Sequence, residues 1–302
     1  MKKILTLAIP TNGAVDWVIP VLNSIYEQSV AEDLFEVVVT DNGEGDSLSK
    51  KIRAMLARHN NLVYKKTNAQ LFMNQIEAFK LATGEYIKFV NHRTPLKEGT
   101  LNFLIDFARE NVKEKPITYF LNGAYSPQHK NYKYSDFDTF AYELSYFSSW
   151  SGGIGCWKSD LKEILSNVKK QTLFPHLAFV YIDIPGRKYC IKENRIFDEL
   201  PFDPQKKGNY DVFYAFGCEY VDLILDLYKK KSIEEDTKNH ILNENEEFII
   251  SLYATYSILK KTCSYDLSSS RKSLNYYYSY KKIKIKSIVR VIKKAIKRIM
   301  HR

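Results

Sequence analysis

The sequence predicts an α/β protein with a mostly parallel sheet in its N-terminal two-thirds and helices in the remainder. Two observations predict this class. Short apolar runs alternate with segments of helical periodicity from the N-terminus to residue 121. Beyond that point the alternation is lost, and helical periods dominate. A chain of 302 residues, 45% of them hydrophobic, can bury the core of one large domain or of two unequal ones.

The elements of the first part follow one another in regular order. Apolar, β-branched runs predict strands at 3–9, 35–40, 62–64, 85–90 and 117–121. Apolar residues that recur every three or four positions predict helices at 14–28, 47–58, 70–82 and 99–111. Because parallel strands need crossover connections, and helices supply them, this order predicts a parallel sheet.

The rest of the chain is less regular. Residues 122–150 are rich in Tyr, Ser, Asp and Phe, which indicates loops and irregular sheet. A glycine cluster follows at 152–155. Helical periods return at 211–230 and 240–260, and the polar segment 268–272 reads as a linker. We therefore expect an α/β domain at 1–210 and a helical region at 211–267. A linker followed by a basic amphipathic helix is expected at 268–302.

The net charge of +10 is concentrated at one end. Residues 281–302 contain ten Lys or Arg and no acid, so residues 1–280 carry equal numbers of basic and acidic side chains. A protein that acts on nucleic acid usually has a basic body, so we predict no nucleic-acid partner. The four cysteines lie far apart in the sequence, which argues against a disulfide framework or a zinc site and fits a reducing cytoplasm.

Several common motifs are missing from the sequence. It has no complete GxGxxG fingerprint, no P-loop, no GxSxG and no HExxH. These absences weaken dehydrogenase, ATPase, hydrolase and metalloprotease interpretations. The apolar run 4–9 is too short for a signal peptide and stops at Pro10, so we expect a first strand there. No stretch reaches the ~18 apolar residues that a membrane-spanning helix needs.

Three loops follow predicted parallel strands, at 10–13, 41–46 and 91–94. In a doubly wound sheet, ligands bind beyond the carboxyl ends of the strands, so these loops predict the ligand site. The carboxylate of Asp41 could accept hydrogen bonds from a uracil-like imide or from a ribose hydroxyl. Asp46 or Ser47 could cap the following helix, and for Asp46 a cap is a better interpretation than ligand contact.

Five segments of residues 4–91 match one protein family in order and spacing. ILTLAIPTNG resembles the first strand and loop of family-2 glycosyltransferases, and VLNSIYEQ their next helix. FEVVVTDNGEGDS resembles their second strand and loop, Asn68 and Asn74 their asparagine pair, and LATGEYIKFVN their fourth strand. A fainter match, SGGIGCWKSDL, resembles an acceptor-side segment.

The resemblance implies a GT-A fold over 1–210 and transfer of a sugar from a nucleotide-diphosphate sugar. The acceptor it implies is a saccharide, such as a lipid-linked surface polysaccharide. Its donor-binding positions fall on Pro10, Thr11, Asn12, Asp41, Asn74, Asn91, His92 and Arg93.

The chain departs from the family where a metal is usually held. The family's fourth strand ends in Asp-x-Asp, whereas this chain reads Asn91-His92-Arg93 and has no carboxylate from 89 to 97. Mg²⁺ favours carboxylate oxygens, so the sequence requires no metal and names no metal ligand, and dependence on Mn²⁺ or Mg²⁺ stays open. Arg93 could meet the diphosphate directly, and His92 could donate to it or bind Mn²⁺. Loss of catalysis is the alternative.

The catalytic base is the least defined part of the site. An inverting transfer needs a group that takes the proton of the acceptor hydroxyl. The family's spacing leads from the glycine cluster to His176, with Asp183 as a second candidate and Asp160 as a third. Burial in the core is an equal interpretation of His176. Trp150 and Trp157 flank the glycine cluster, where one could line an acceptor groove and the other pack in the core.

The C-terminal segment combines an apolar stripe with basic residues. On a helix, one face would carry Ile285, Ile288, Val289, Ile292, Ala295, Ile296 and Ile299, with lysines and arginines around it. Such a helix suits an anionic membrane surface, so we expect a cytoplasmic protein, peripheral on the inner face of the cell membrane. A helix docked on its own body through the same stripe is the alternative, and a nucleic-acid-binding tail is less consistent with so regular a stripe.

Two other functions stay open. The first is a non-catalytic nucleotide-sugar-binding protein in a polysaccharide-assembly complex, which the missing acidic pair favours. The second is a nucleotidyltransferase, which would need a glycine-rich basic loop after the first strand; residues 10–13 have one glycine and no base.

Overall fold

The computed structural model describes residues 3–124, 133–169, 173–201 and 209–300. The chain forms two compact units, Met1–Leu200 and Pro201–Arg302. Of the predicted basic tail, Arg302 and the side chain of Arg298 lie outside the described part.

The first unit is α/β. In chain order its described strands are β1 (Leu5–Thr11), β2 (Phe35–Asp41), β3 (Leu62–Lys66), β4 (Tyr86–Phe89), β5 (Ile117–Phe120), β6 (Lys133–Tyr134), β7 (Gly155–Trp157) and β8 (Tyr189–Lys192). Its described α-helices are α1 (Val15–Tyr26), α2 (Ser47–Arg58), α3 (Asn74–Leu81), α4 (Thr100–Asn111), α5 (Phe137–Leu144), α6 (Leu161–Asn167) and α7 (Leu177–Val180).

The main sheet has the strand order β3-β2-β1-β4-β7. Its first four strands are parallel, and β7 pairs antiparallel with β4. The predicted α/β class with a mostly parallel sheet is confirmed. From β1 the chain adds β2 and β3 on one side and then returns to add β4 on the other side of β1. The order of the strands therefore reverses between β1 and β4. In doubly wound sheets, ligands bind in the crevice at the carboxyl ends of the two strands at such a point.

Both faces of the central strands are covered, which explains their continuous apolar runs. Every residue of β2 is buried. Alternate residues of β1, Leu5, Leu7 and Ile9, belong to one core cluster with apolar residues of α1, α2 and α4. Helix α3 also contacts β1 and β2, and its Phe79 packs on Phe179 with ring centroids 4.3 Å apart.

The prediction that residues 117–121 extend the parallel sheet is wrong. β5 pairs with β8 in a separate small sheet of order β5-β8-β6, and β7 takes the place beside β4. Glycine allows this exchange, because a Cβ on Gly155 would lie 2.2 Å from the Tyr86 hydroxyl oxygen and one on Gly153 would lie 2.1 Å from the Tyr119 ring. The glycine cluster therefore marks close packing between strands as well as a loop.

The second unit is helical. Its described α-helices are α8 (Val212–Tyr214), α9 (Tyr220–Lys229), α10 (Glu235–Leu252), α11 (Ser270–Leu274) and α12 (Tyr280–Met300). A π-helical turn, Ala215–Glu219, joins α8 to α9, and a second, Tyr253–Ile258, extends α10. The segment expected to be a polar linker instead begins α11, because Leu274 is buried and the hydroxyls of Ser269 and Ser273 both donate to Asp211.

Helix α12 packs on α10 through one of its faces. Ile283 is fully buried, and the Ser287 hydroxyl donates to the Ile250 carbonyl at 3.1 Å. Lys286 lies on the same side, with its Nζ 2.8 Å from a carboxylate oxygen of Glu246. Among the described residues, no helix combines the length and the apolar character needed to cross a membrane.

Candidate functional site

The carboxyl ends of the central parallel strands lie side by side. Thr11 at the end of β1 is in register with Asp41 at the end of β2, and Val90 follows β4 beside them, its N–H bonded to the Ala8 carbonyl at 2.9 Å. The loops 10–13, 41–46 and 91–94 therefore share one edge of the sheet, as the sequence predicted for a doubly wound fold.

Two of these loops are joined through a histidine. The Nδ1 atom of His92 lies 2.8 Å from the hydroxyl oxygen of Thr11, which also accepts the N–H of Gly13 at 3.1 Å. Burial, and secondarily the charge of Arg93, lower the pKa of His92 to about 3. The ring is therefore neutral near pH 7, where it can offer a hydrogen bond to a ligand but adds no positive charge.

Arg93 supplies the fixed charge of this edge. Its guanidinium carbon lies 5.4 Å from the centroid of the Trp17 ring, a cation–π distance that orients the side chain. Its backbone N–H donates to the side-chain oxygen of Asn91 at 3.1 Å, and the Thr94 N–H donates to the Asn91 carbonyl at 2.9 Å. Asn91 thus acts as a turn former that fixes the backbone at Arg93.

Asp41 is buried and held by three protein donors. One carboxylate oxygen accepts the N–H of Gly43 at 2.8 Å, and the other accepts the Tyr64 hydroxyl at 2.7 Å and the Lys66 ammonium at 3.0 Å. A carboxylate has about four acceptor positions, so capacity is left for a ligand. Burial, followed by the hydrogen bond to Asp41, raises the pKa of Tyr64 well above its usual range.

Asn74 connects the strand ends to one another. Its side-chain nitrogen donates to the carbonyls of Thr11 and Thr40, both at 2.9 Å, and its side-chain oxygen accepts the Thr67 hydroxyl at 2.8 Å. The side chain is buried and its hydrogen-bonding groups are engaged with protein atoms. This arrangement suits a positioning role. Asn12, in contrast, is exposed on the same loop edge, and Pro10 is half-buried.

His176 and Asp183 have other surroundings. His176 is buried, and its Nε2 donates to the Ser149 carbonyl at 3.0 Å. Its Nδ1 is buried with no hydrogen-bond partner among the described residues. Burial lowers the pKa of His176 to about 4. Asp183 is exposed and accepts the Tyr189 hydroxyl at 3.0 Å. Their roles as bases stay predictions, and the burial of His176 favours the core interpretation.

No motif of the sequence points to Tyr64, Lys66 or Lys88 as site residues. Lys66 could have been found from the register of β2 and β3, which places it opposite Asp41. Lys88 is fully buried, and its Nζ donates to the Gly152 and Ile154 carbonyls at 2.6 and 3.0 Å. A lysine inside a strand buried on both faces was the available signal. Its hydrogen bonds fix the glycine cluster to the carboxyl half of β4.

The residues at the end of β4 do not fit a hard divalent cation. The described part of the chain contains no group of three or more His, Cys, Asp or Glu side chains placed to hold a metal ion. At 91–93 the side chains are an amide, an imidazole already bonded to Thr11, and a guanidinium. A positive guanidinium opposes a cation but suits an anion such as a diphosphate.

Solved structures share this fold. The fragment 1–349 of TarS from S. aureus matches with a TM-score of 0.57 and 18% identity, over 90% of this chain and 78% of the fragment. TarS itself matches with a TM-score of 0.55 and 18% identity over 85% of this chain, and the aligned region spans about half of TarS (46%). The mannosyltransferase PcManGT from Pyrobaculum calidifontis, in complex with GDP-Man and Mn²⁺, matches with a TM-score of 0.52 and 14% identity, over 96% of this chain and 87% of that one.

The TarS fragment has also been solved with UDP and with UDP-GlcNAc. No family model matches the chain, and no curated protein matches it in sequence. The structural likeness nevertheless settles the architecture: the chain has the GT-A-like fold of nucleotide-sugar glycosyltransferases.

Proposed function

We propose that the chain is a glycosyltransferase of the family-2 type, which moves a sugar from a nucleotide-diphosphate sugar to a saccharide acceptor. One observation carries the proposal: Thr11, Asp41 and Arg93 lie at adjacent strand ends, at the switch point of a parallel sheet. The fold and the bound UDP-GlcNAc and GDP-Man of its structural neighbours support the same class of donor.

In this proposal the three loops divide the donor between them. Asp41 accepts hydrogen bonds from the base or the ribose, and the exposed Asn12 lies on the neighbouring loop. Arg93 meets the diphosphate, where its charge stabilises the negative charge that develops as the bond to the sugar breaks. His92 stays neutral and offers one hydrogen bond. No step in this proposal passes through a metal ion.

We further propose that the protein is peripheral on the cytoplasmic face of an anionic membrane, where a lipid-linked acceptor would be found. The apolar stripe of α12 supports this location. Ile285, Ile288, Val289, Ile292, Ile296 and Ile299 are 38% to 74% exposed, so α12 docks on α10 through a different face. Basic side chains border the stripe, as an interfacial helix on anionic lipid requires.

A non-catalytic nucleotide-sugar-binding protein is the second candidate. The lack of a carboxylate at 89–97 and the burial of His176 favour it. Hydrolysis of the bound donor by water distinguishes the two, because a binding protein would leave the donor intact.

The donor site can be tested by titration calorimetry of UDP, GDP, CDP and ADP against the full chain. At least one should bind, and Asp41→Ala should weaken that binding by about 1–3 kcal/mol, the value of a buried hydrogen bond to a charged group. The control is Asp46→Asn, at an exposed carboxylate of the same loop that pairs only distantly with Lys50, at 3.8 Å. Unchanged affinity in a folded Asp41→Ala protein would remove Asp41 from the site. Binding of none of the four nucleotides would contradict the proposed function.

A further inference from the structure

A cavity of about 310 Å³ lies in the first unit, and one residue of its wall, Glu199, belongs to a segment that pairs with the loop containing Arg93. Its wall includes three aromatic side chains, Tyr119, Phe147 and Trp150, together with Glu199. Trp157, the other tryptophan beside the glycine cluster, is buried in the core and does not reach this wall.

The position of Glu199 follows from backbone pairing. Residues 196–200 run antiparallel to 93–97. The Leu200 N–H donates to the Arg93 carbonyl at 3.2 Å, and two further backbone hydrogen bonds of 2.9 and 3.0 Å continue the pairing. In this register Glu199 lies opposite Thr94, one residue from Arg93. The backbone of Glu199 is therefore held beside the loop that is proposed to bind the diphosphate, and its side chain is exposed.

The wall that carries Glu199 is fixed in place. Asn122 has a positive φ of 54°, and its side-chain oxygen accepts the N–H groups of both Ile196 and Phe197 at 2.9 Å. Its side-chain nitrogen donates to the Phe197 carbonyl at 3.2 Å. The Trp150 ring meets the Phe197 ring edge to face, with centroids 6.4 Å apart. Both sides of the cavity thus have defined positions before any ligand binds.

The chemistry of the cavity suits a saccharide. Aromatic faces pack against the apolar C–H faces of sugar rings, and a carboxylate accepts hydrogen bonds from sugar hydroxyls. The Tyr119 hydroxyl oxygen lies 2.5 and 2.6 Å from the Phe147 and Trp150 carbonyl oxygens, which share its single proton, so it fixes the wall. Among the described residues that line the cavity, Glu199 is the one with an acidic side chain.

We propose that this cavity is the acceptor subsite and that Glu199 is the general base; this inference rests on the proposed glycosyltransferase function. The acceptor oxygen forms a bond to the anomeric carbon of the donor sugar. The bond from that carbon to the diphosphate oxygen breaks, and its electron pair leaves with the nucleoside diphosphate beside Arg93. The proton of the acceptor hydroxyl passes to the Glu199 carboxylate.

The same base would activate water, so the test needs no acceptor. The full chain is incubated with UDP-GlcNAc and, separately, with GDP-mannose, and release of the nucleoside diphosphate is measured across pH. Glu199→Gln should lower the hydrolysis rate by about 100-fold or more, because general-base catalysis contributes that much. Glu199→Asp should retain part of the rate. The affinity for UDP or GDP should be unchanged in both variants.

Asp198→Asn is the matched control. Asp198 precedes Glu199 in the chain, is exposed, and pairs with Lys97 at 3.1 Å. Its substitution should leave hydrolysis at the wild-type rate. Equal rates in Glu199→Gln and wild type would overturn the role of Glu199, as would a wild-type protein that binds either donor but hydrolyses neither. Failure to bind any nucleoside diphosphate would instead contradict the proposed function itself.

Discussion

At the scale of single residues, charge at the end of β4 decides how a diphosphate can be held. Arg93 is oriented by Trp17 and by the turn at Asn91, and its guanidinium is protonated at every accessible pH. A guanidinium binds phosphate oxygens through two parallel hydrogen bonds. It could therefore offset part of the charge of a diphosphate at a position where a metal ion would otherwise bind.

We expect Arg93→Ala to weaken binding of the preferred nucleoside diphosphate about tenfold or more, the value of a charge-assisted hydrogen bond. EDTA should leave binding by the wild-type protein largely intact. Titration calorimetry measures both effects. Arg53→Ala, which removes an exposed arginine of α2, is the control for a general change of charge. Loss of binding in EDTA and its recovery with Mg²⁺ would show that the diphosphate is held by a metal.

Buried histidines make the stability of the first unit depend on pH. Burial lowers the pKa of His176 from 6.5 to about 4. Between these values the unfolded chain takes up a proton that the folded chain does not. The free energy of unfolding therefore falls as pH falls from 6.5 to 4, by about 1.4 kcal/mol per pH unit for this group.

His176→Gln tests this dependence, because an amide can still donate to the Ser149 carbonyl but does not titrate. Urea denaturation between pH 7.5 and 4.5 should show a shallower loss of stability in the variant than in the wild type. All three tryptophans, Trp17, Trp150 and Trp157, lie in Met1–Leu200, so their fluorescence reports on that unit. Parallel pH profiles in the two proteins would contradict a proton-excluding environment at His176.

At the scale of elements, periodic segments could be predicted from the sequence and contacts between distant segments could not. The runs around β1 and β2 and the period of α4 gave boundaries within a few residues of those found. β7 has only three residues, and three glycines precede or begin it. Its pairing with β4 depends on tertiary contact. A register-dependent contact, such as Lys66 with Asp41, likewise needs the sheet order before it can be found.

Close packing at β7 predicts the effect of a single methyl group. In Gly155→Ala the new Cβ would lie 2.2 Å from the Tyr86 hydroxyl oxygen and 2.7 Å from its Cζ. We expect a loss of about 1–3 kcal/mol in the free energy of unfolding, the usual cost of overpacking. Adding Tyr86→Phe removes the nearer atom and should restore part of the lost free energy of unfolding. Urea denaturation measures both changes. If the double variant were no more stable than Gly155→Ala alone, the strain would not arise from contact with the Tyr86 hydroxyl.

At the scale of the whole molecule, the two faces of α12 differ in burial. The face with Ile283 and Ser287 is buried against α10, so it holds the helix on the second unit. The opposite face leaves its isoleucines exposed to solvent. An exposed apolar row beside lysines is costly in water and would be stabilising at a lipid surface, as the proposed membrane location requires.

The full chain should therefore co-sediment with vesicles of phosphatidylcholine and phosphatidylglycerol, and less with phosphatidylcholine alone. Each engaged basic residue contributes about 1 kcal/mol near an anionic surface, and salt screens this contribution, so binding should weaken as salt rises. Replacing Ile292, Ile296 and Ile299 by Gln removes the C-terminal half of the exposed stripe and leaves the docked face intact. This variant should sediment less than the wild type at every salt concentration and keep its affinity for nucleotide. The matched variant, Lys293→Gln with Lys297→Gln, should lose chiefly the salt-dependent part of binding, because its apolar stripe is unchanged. Equal sedimentation of the stripe variant and the wild type would mean that the exposed isoleucines do not enter lipid.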